Sequence, residues 1–224
     1  FPRRGRTFRE HPAAGAGMTM EPHQATLARS VVAIPRSRIR QLSDIAMSMD
    51  GVLKLYFGES NLPTPGKIKD AAIDAIHQNY TYYSENAGIP GLRRAIAAKY
   101  LELHGITLDP ARHIVITASG VQALNLVMRC ILDPGDEAIV LTPAWPNSLG
   151  IAGLYSARVA QVPYRLRGNG YEIDFEAIEG RIRPETRMLL YTSPSNPLGW
   201  VATVRDQERL LQICRKHRLW LVAD

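Results

Sequence analysis

From Val52 onward the apolar residues fall into short runs separated by longer amphipathic stretches, and the two kinds of segment alternate to the end of the chain. Short runs rich in Val, Ile and Leu predict strands at 52–57, 113–117, 137–142, 158–162, 187–191 and 219–223. Apolar residues spaced by three and four predict helices at 66–79, 91–104, 121–132, 147–156, 174–182 and 204–217. The first of these helices opens at Pro65-Gly66 and carries Ile68, Ala71, Ala72, Ala75 and Ile76 on one stripe. Strands alternating with helices of this length point to βαβ units, so the expected class is α/β, a mostly parallel sheet with helices on both faces. Residues 1–30 lack any period and are expected to be a disordered arm, 31–65 a linking or small-domain segment, and 66–224 the main domain.

Composition changes this picture in two places. With 224 residues and 46% hydrophobic content the chain can bury a sizeable core. Its net charge of +6 would suggest a nucleic-acid or membrane partner, but residues 1–40 hold eight arginines against Glu10 and Glu21, and the rest of the chain balances. The basicity therefore belongs to the arm, and neither nucleic acid nor membrane is expected as a partner. The first 17 residues are Arg-rich and acid-poor like a targeting peptide but lack an apolar stretch. Cys130 and Cys214 sit in apolar helical patterns and are expected to be buried thiols in a reducing compartment. The six histidines form no metal-ligand spacing, so no metal site is expected. A first residue that is Phe and a last residue that closes a strand give the expectation of a fragment, incomplete at the C-terminus.

Candidate chemistry gathers in three loops at predicted strand ends, and ligands of open α/β sheets bind at the carboxyl ends of strands. The first is Thr117-Ala118-Ser119-Gly120-Val121-Gln122, where a glycine turn feeds a helix whose free N–H groups and dipole suit an anion. Read alone, it is equally a tight turn. The second, Leu141-Thr142-Pro143-Ala144-Trp145-Pro146, delivers an indole between prolines, suited to stacking on an aromatic ring or equally to packing. The third, Tyr191-Thr192-Ser193-Pro194-Ser195-Asn196-Pro197-Leu198-Gly199, holds an asparagine whose amide can donate to an oxyanion or carboxylate. To these the run ending at Asp224 adds a carboxylate carried out of a strand expected to be buried.

Together with Asp224 the three loops resemble the class I/II, fold type I pyridoxal-phosphate-dependent aminotransferases. The resemblance runs from about Val52 to Asp224. It includes Leu55-Tyr56-Phe57-Gly58-Glu59-Ser60, the stretch Tyr83-Ser84-Glu85-Asn86-Ala87-Gly88-Ile89-Pro90-Gly91-Leu92-Arg93, and Pro134-Gly135-Asp136-Glu137. It implies that 66–224 is the large, cofactor-binding domain, and that pyridoxal 5'-phosphate is the cofactor. On that resemblance Gly120, Val121 and Gln122 bind its phosphate through backbone N–H groups, Trp145 stacks on its ring, and Asn196 hydrogen-bonds the ring oxygen near the substrate carboxylate. Asp224 pairs with the ring nitrogen, Gly58 lies against the substrate, and Tyr83 reaches the phosphate of a partner subunit. The implied reaction moves an amino group between an amino acid and a 2-oxo acid, in a cytoplasmic homodimer.

The resemblance also implies that the Schiff-base lysine and the arginine that clamps the substrate carboxylate come after Asp224, so that the 224-residue chain alone is expected to be inactive. Lys54, Lys67, Lys69, Lys99 and Lys216 read as solvated surface lysines. Two other readings share the fold: a pyridoxal-phosphate-dependent lyase or cyclopropane-forming enzyme, and a non-catalytic aminotransferase-like sensor domain. A nucleotide-binding protein is disfavoured, since neither GxGxxG at the first βα turn nor GxxxxGK[ST] is present.

Overall fold

A computed structural model describes residues 26–224 apart from Lys54, Phe57 and Glu59. Two short helices, α1 (Arg29–Val32) and α2 (Arg38–Met47), precede α3 (Gly66–His77) and α4 (Pro90–His104). Then come α5 (Gly120–Ile131), β1 (Glu137–Thr142), α6 (Pro146–Leu154), β2 (Arg158–Pro163), β3 (Arg165–Arg167), β4 (Gly170–Glu172), α7 (Phe175–Arg181), β5 (Thr186–Tyr191), α8 (Val204–His217) and β6 (Trp220–Ala223). The strands β1, β2, β5 and β6 form one sheet in the order β2-β1-β5-β6, and every pair in it is parallel.

This order reverses direction once. The chain steps from β1 outward to β2, returns past β1 to β5, and continues to β6. Right-handed crossovers that step in opposite directions put their helices on opposite faces of a sheet. The packing agrees: α6 joins α5 on one face, over Ala138, Val140, Met188 and Leu190. On the other face α7 and α8 cover Ile139, Leu141, Leu189 and Tyr191. Successive residues of β1 and β5 thus alternate between two cores, and all six residues of β1 are buried.

Several expectations are corrected. Residues 114–117 form no strand: Ile114 is buried, but no strand of the described residues lies beside the segment, and the Ile116 N–H donates to Ala87 O at 3.0 Å. The stretch expected as a strand at 52–57 is likewise not one. Leu53 and Leu55 are 80% and 87% exposed, without a packing surface, and Lys54 and Phe57 lie outside the described residues. The expected disordered arm falls mostly on residues 1–25, also outside the described set; within the linking or small-domain segment, 38–47 is helical and capped by Ser37. The β3–β4 hairpin was not expected. Cys214 is buried, and burial pushes its thiol up to about 11, but Cys130 is exposed. The buried residues of α5 are Leu124 and Met128, and two positions beyond Met128 lies the opposite side of a 3.6-residue helix.

The turn Pro134-Gly135-Asp136-Glu137 lies at the amino ends of the strands. Gly135 adopts φ +93°, Asp136 accepts from the Asp133 N–H and pairs with Arg187 at 3.0 Å, and the buried Glu137 accepts from Thr186 Oγ1. It serves the fold at the edge opposite the candidate loops.

Candidate active site

The carboxyl edge of the sheet collects the three loops and Asp224. β1 ends at Thr142, β5 at Tyr191 and β6 at Ala223, with β1 and β5 adjacent and β5 and β6 adjacent. The gap between β1 and β5 is where the strand order reverses, the switch point at which ligands of open α/β sheets bind. The fourth contribution, the amino end of α5, arrives by geometry. A helix of about 18 Å packed on β1 and joined to its start by a five-residue turn must run antiparallel to a strand of about 20 Å. Its first residues therefore lie at the carboxyl edge, beside those of α6 and α8, so that three positive helix ends face this edge.

At the start of α5, Ser119 is the N-cap, and its Oγ accepts from the Gln122 N–H at 3.2 Å. The Gln122 side chain folds back to accept from the Ala118 N–H at 2.7 Å, and Thr117 Oγ1 donates to Ser119 O. Gln122 is thus already engaged at both its amide and its side chain. Of the first helical residues, Gly120 and Val121 have N–H groups left without an acceptor, and both residues are exposed.

Trp145 is the N-cap of α6, with Pro146 at the first helical position, and its indole is half-buried. The Thr142-Pro143 peptide before it is cis. In the third loop the Ser193-Pro194 and Asn196-Pro197 peptides are cis as well. The buried Ser195 closes the turn: its N–H donates to Trp200 O at 2.7 Å and its carbonyl accepts from the Gly199 N–H at 2.7 Å. Ser193 Oγ accepts from the Ala202 N–H at 3.0 Å. Asn196 stands exposed at the head of this turn.

Asp224 continues the ladder beyond β6. Its N–H donates to Tyr191 O at 3.0 Å and its carbonyl accepts from the Ser193 N–H at 2.9 Å, which seats it against the start of the third loop. Thr192 Oγ1 donates to its carboxylate at 3.4 Å. The expectation of a buried strand here is corrected. Among the described residues β6 pairs only with β5, and an edge strand has one neighbour, so Trp220 is 65% exposed and Asp224 is exposed.

Gly58 and Tyr83 stand apart. Gly58 is exposed with no atom within 4 Å of where a Cβ would stand, and Tyr83 is fully exposed. The segment after Tyr83 does dock near α5: Ser84, Glu85, Asn86, Gly88, Ile89, Leu92, Ile116, Thr117 and Ala118 line a cavity of about 290 Å³. Arg93 latches this segment by donating to Gly88 O and Pro110 O. Lys67, Lys69 and Lys99 are exposed, Lys216 pairs with Glu179 at 2.7 Å, and Lys54 lies outside the described residues. The sequence reading missed Thr192, Ser193 and Ser195, whose signal was hydroxyl residues flanking the prolines. It also missed Tyr164 and Trp200, whose contact spans loops far apart in sequence and carries no local signal.

Chemically, the edge offers two free backbone donors at a helix start, a half-buried indole, a primary amide and a carboxylate. Donors of this kind suit a phosphate, the indole a flat ring, and the carboxylate a protonated ring nitrogen. The residues present fit pyridoxal 5'-phosphate.

Known proteins resemble the chain in sequence and in fold. The chain is 38% identical over 176 residues to an aspartate/prephenate aminotransferase of Thermus thermophilus, covering 77% of this chain and 44% of that protein. It is 35% identical over 173 residues to an arginine–pyruvate transaminase of Pseudomonas aeruginosa, covering 77% and 44%. The solved structure of aspartate aminotransferase from Thermus thermophilus with maleate superposes with a TM-score of 0.83 at 35% identity, over 89% of this chain and 53% of that one. The chain thus spans about half the length of the relatives it matches. The family model described as aminotransferase class I and II, a pyridoxal-phosphate-dependent family, matches residues 50–224, and the chain belongs to that family.

Proposed function

We propose that the protein carrying this chain transfers an amino group between an amino acid and a 2-oxo acid, with pyridoxal 5'-phosphate held at the carboxyl edge of the sheet. The observation that carries the reading is the gathering of Gly120, Val121, Trp145, Asn196 and Asp224 at the one edge where the strand order reverses. The Gly120 and Val121 N–H groups, with the Ser119 hydroxyl, hold the phosphate, while Gln122 steadies the turn that presents them. Trp145 keeps the ring plane fixed. Asn196 donates to the ring oxygen and lies toward the substrate carboxylate. Asp224 keeps a proton on the ring nitrogen, because an adjacent anion favours the charged form. Bound there, the cofactor supplies the electron sink that lets a proton leave the substrate α-carbon. Gly58 lies against the substrate, and Tyr83 reaches across to a second copy in a homodimer of the cytoplasm. In this reading 31–65 is part of a smaller unit and 66–224 the cofactor-binding unit. The relatives' names include aspartate, aromatic and arginine substrates at similar identity, so the reading stays with amino acids as a class.

The test is amino transfer from a panel of amino acids to a 2-oxo acid, with product analysis, in the protein loaded with pyridoxal phosphate. Wild type yields the new amino acid, and Asp224→Asn lowers kcat by about 100-fold or more through loss of the fixed charge. Elimination products in place of a new amino acid would favour a lyase, and cofactor uptake without turnover a sensor.

A further inference from the structure

Tyr164 lies just past β2, between the two proline-bracketed loops, and touches both. Its N–H donates to Thr142 O at 2.8 Å, at the start of the loop that bears Trp145. Its ring meets that of Trp200 at 4.9 Å between centroids, tilted by 46°. Trp200 in turn accepts the Ser195 N–H that closes the turn presenting Asn196. Tyr164 is 8% exposed, and its hydroxyl has no hydrogen-bond partner. The hydroxyl therefore detracts from stability, and the ring face and backbone N–H do the holding. Burial, with Tyr191 and Asp206 nearby, pushes the phenol well above its ordinary value, so it stays neutral.

We propose that Tyr164 and Trp200 are positioning residues that clasp the Trp145 loop to the Asn196 loop and so set the width of the slot between them. The inference rests on the reading of those two loops as the cofactor-facing loops. A tilted ring pair in contact at this point fixes the indole and the amide relative to one another, though neither clasp residue is assigned a contact with cofactor or substrate.

The test is amide hydrogen exchange in the cofactor-free protein, with Tyr164→Leu and Trp200→Leu, which keep apolar bulk and remove the ring contact. Each is expected to speed exchange at Ser195, Gly199 and residue 164 by about threefold to tenfold, while Ile139 and Leu189 keep their wild-type rates. The double variant should exceed neither single one, because both remove the same contact. Tyr164→Phe should match wild type at the loops. Unchanged loop exchange in Tyr164→Leu, acceleration that extends to Ile139 and Leu189, or a Tyr164→Phe variant as fast as Tyr164→Leu would each overturn the clasp. A second readout is titration with pyridoxal phosphate, where Tyr164→Leu loses affinity and Tyr164→Phe retains it. Where the wild type binds pyridoxal phosphate, equal affinity in Tyr164→Leu also overturns the proposal. Loop exchange that responds as stated in a protein that takes up no pyridoxal phosphate upholds the clasp and refutes the functional reading.

Discussion

At Gly88 a methyl group in place of hydrogen would meet Ile116 Cβ and Cγ1 at 2.5 Å, and the backbone is held at φ +92°. Both features demand glycine. Gly88→Ala is expected to destabilise by about 2–4 kcal/mol, combining backbone strain with an overpacked contact that a stiff β-branched neighbour cannot relieve. Gly135 shares the positive φ at +93° but has nothing within 4 Å, so Gly135→Ala should cost only the strain, about 1–2 kcal/mol. Urea unfolding of the two variants separates the terms, and equal losses would refute the contact. The residue types of the stretch from Tyr83 to Arg93 were legible in the sequence as a resemblance. What they do was not: Gly88 admits Ile116, 28 positions on, and Arg93 ties the segment to Gly88 O and, 17 positions on, to Pro110 O.

Between elements, α7 and α8 also meet at Glu179, which faces Lys216 at 2.7 Å, His217 at 3.6 Å and Arg209 at 4.0 Å. The hydrogen bond from Lys216 is the main cause that holds the Glu179 carboxyl below its ordinary value of 4.5, with His217 and Arg209 adding to it. A carboxylate lowered on folding contributes stability that is present above its unfolded value and is lost as pH falls through the folded one. Stability should therefore decline below about pH 4.5, and Glu179→Gln should flatten that decline without changing its neighbours' packing. Thermal unfolding from pH 6 to 3 checks it, and identical profiles would count against the pair. Elements were legible where local chemistry stands alone, as in α8 with its Thr203–Asp206 capping box. The β3–β4 hairpin had a signal too, Gly168 at φ +58° followed by Asn169, but its three-residue strands are too short for a period to register. Residues 113–117 had the period and no strand partner, and a ladder needs two sides.

For the whole molecule, the consequence of helices on both faces is that adjacent residues of a central strand are both core. Leu189 is buried under α7 and α8, and Leu190 under α5 and α6. Leu189→Ala and Leu190→Ala should each destabilise by about 2–5 kcal/mol, measured by urea unfolding, whereas a one-sided sheet would spare one of them. The class itself, α/β with a parallel sheet covered on both faces, follows from the sequence, because continuous apolar runs alternating with amphipathic helices have few other ways to bury their surface. The sequence also determined which residue types stand at the strand ends, since prolines, glycines and caps act through the local backbone. Tertiary structure decided the strand order among β1, β2, β5 and β6 and the contact of Tyr164 with Trp200. Each of these depends on which distant segments become neighbours. Local periodicity cannot encode that choice, because it is made by packing across the whole sheet.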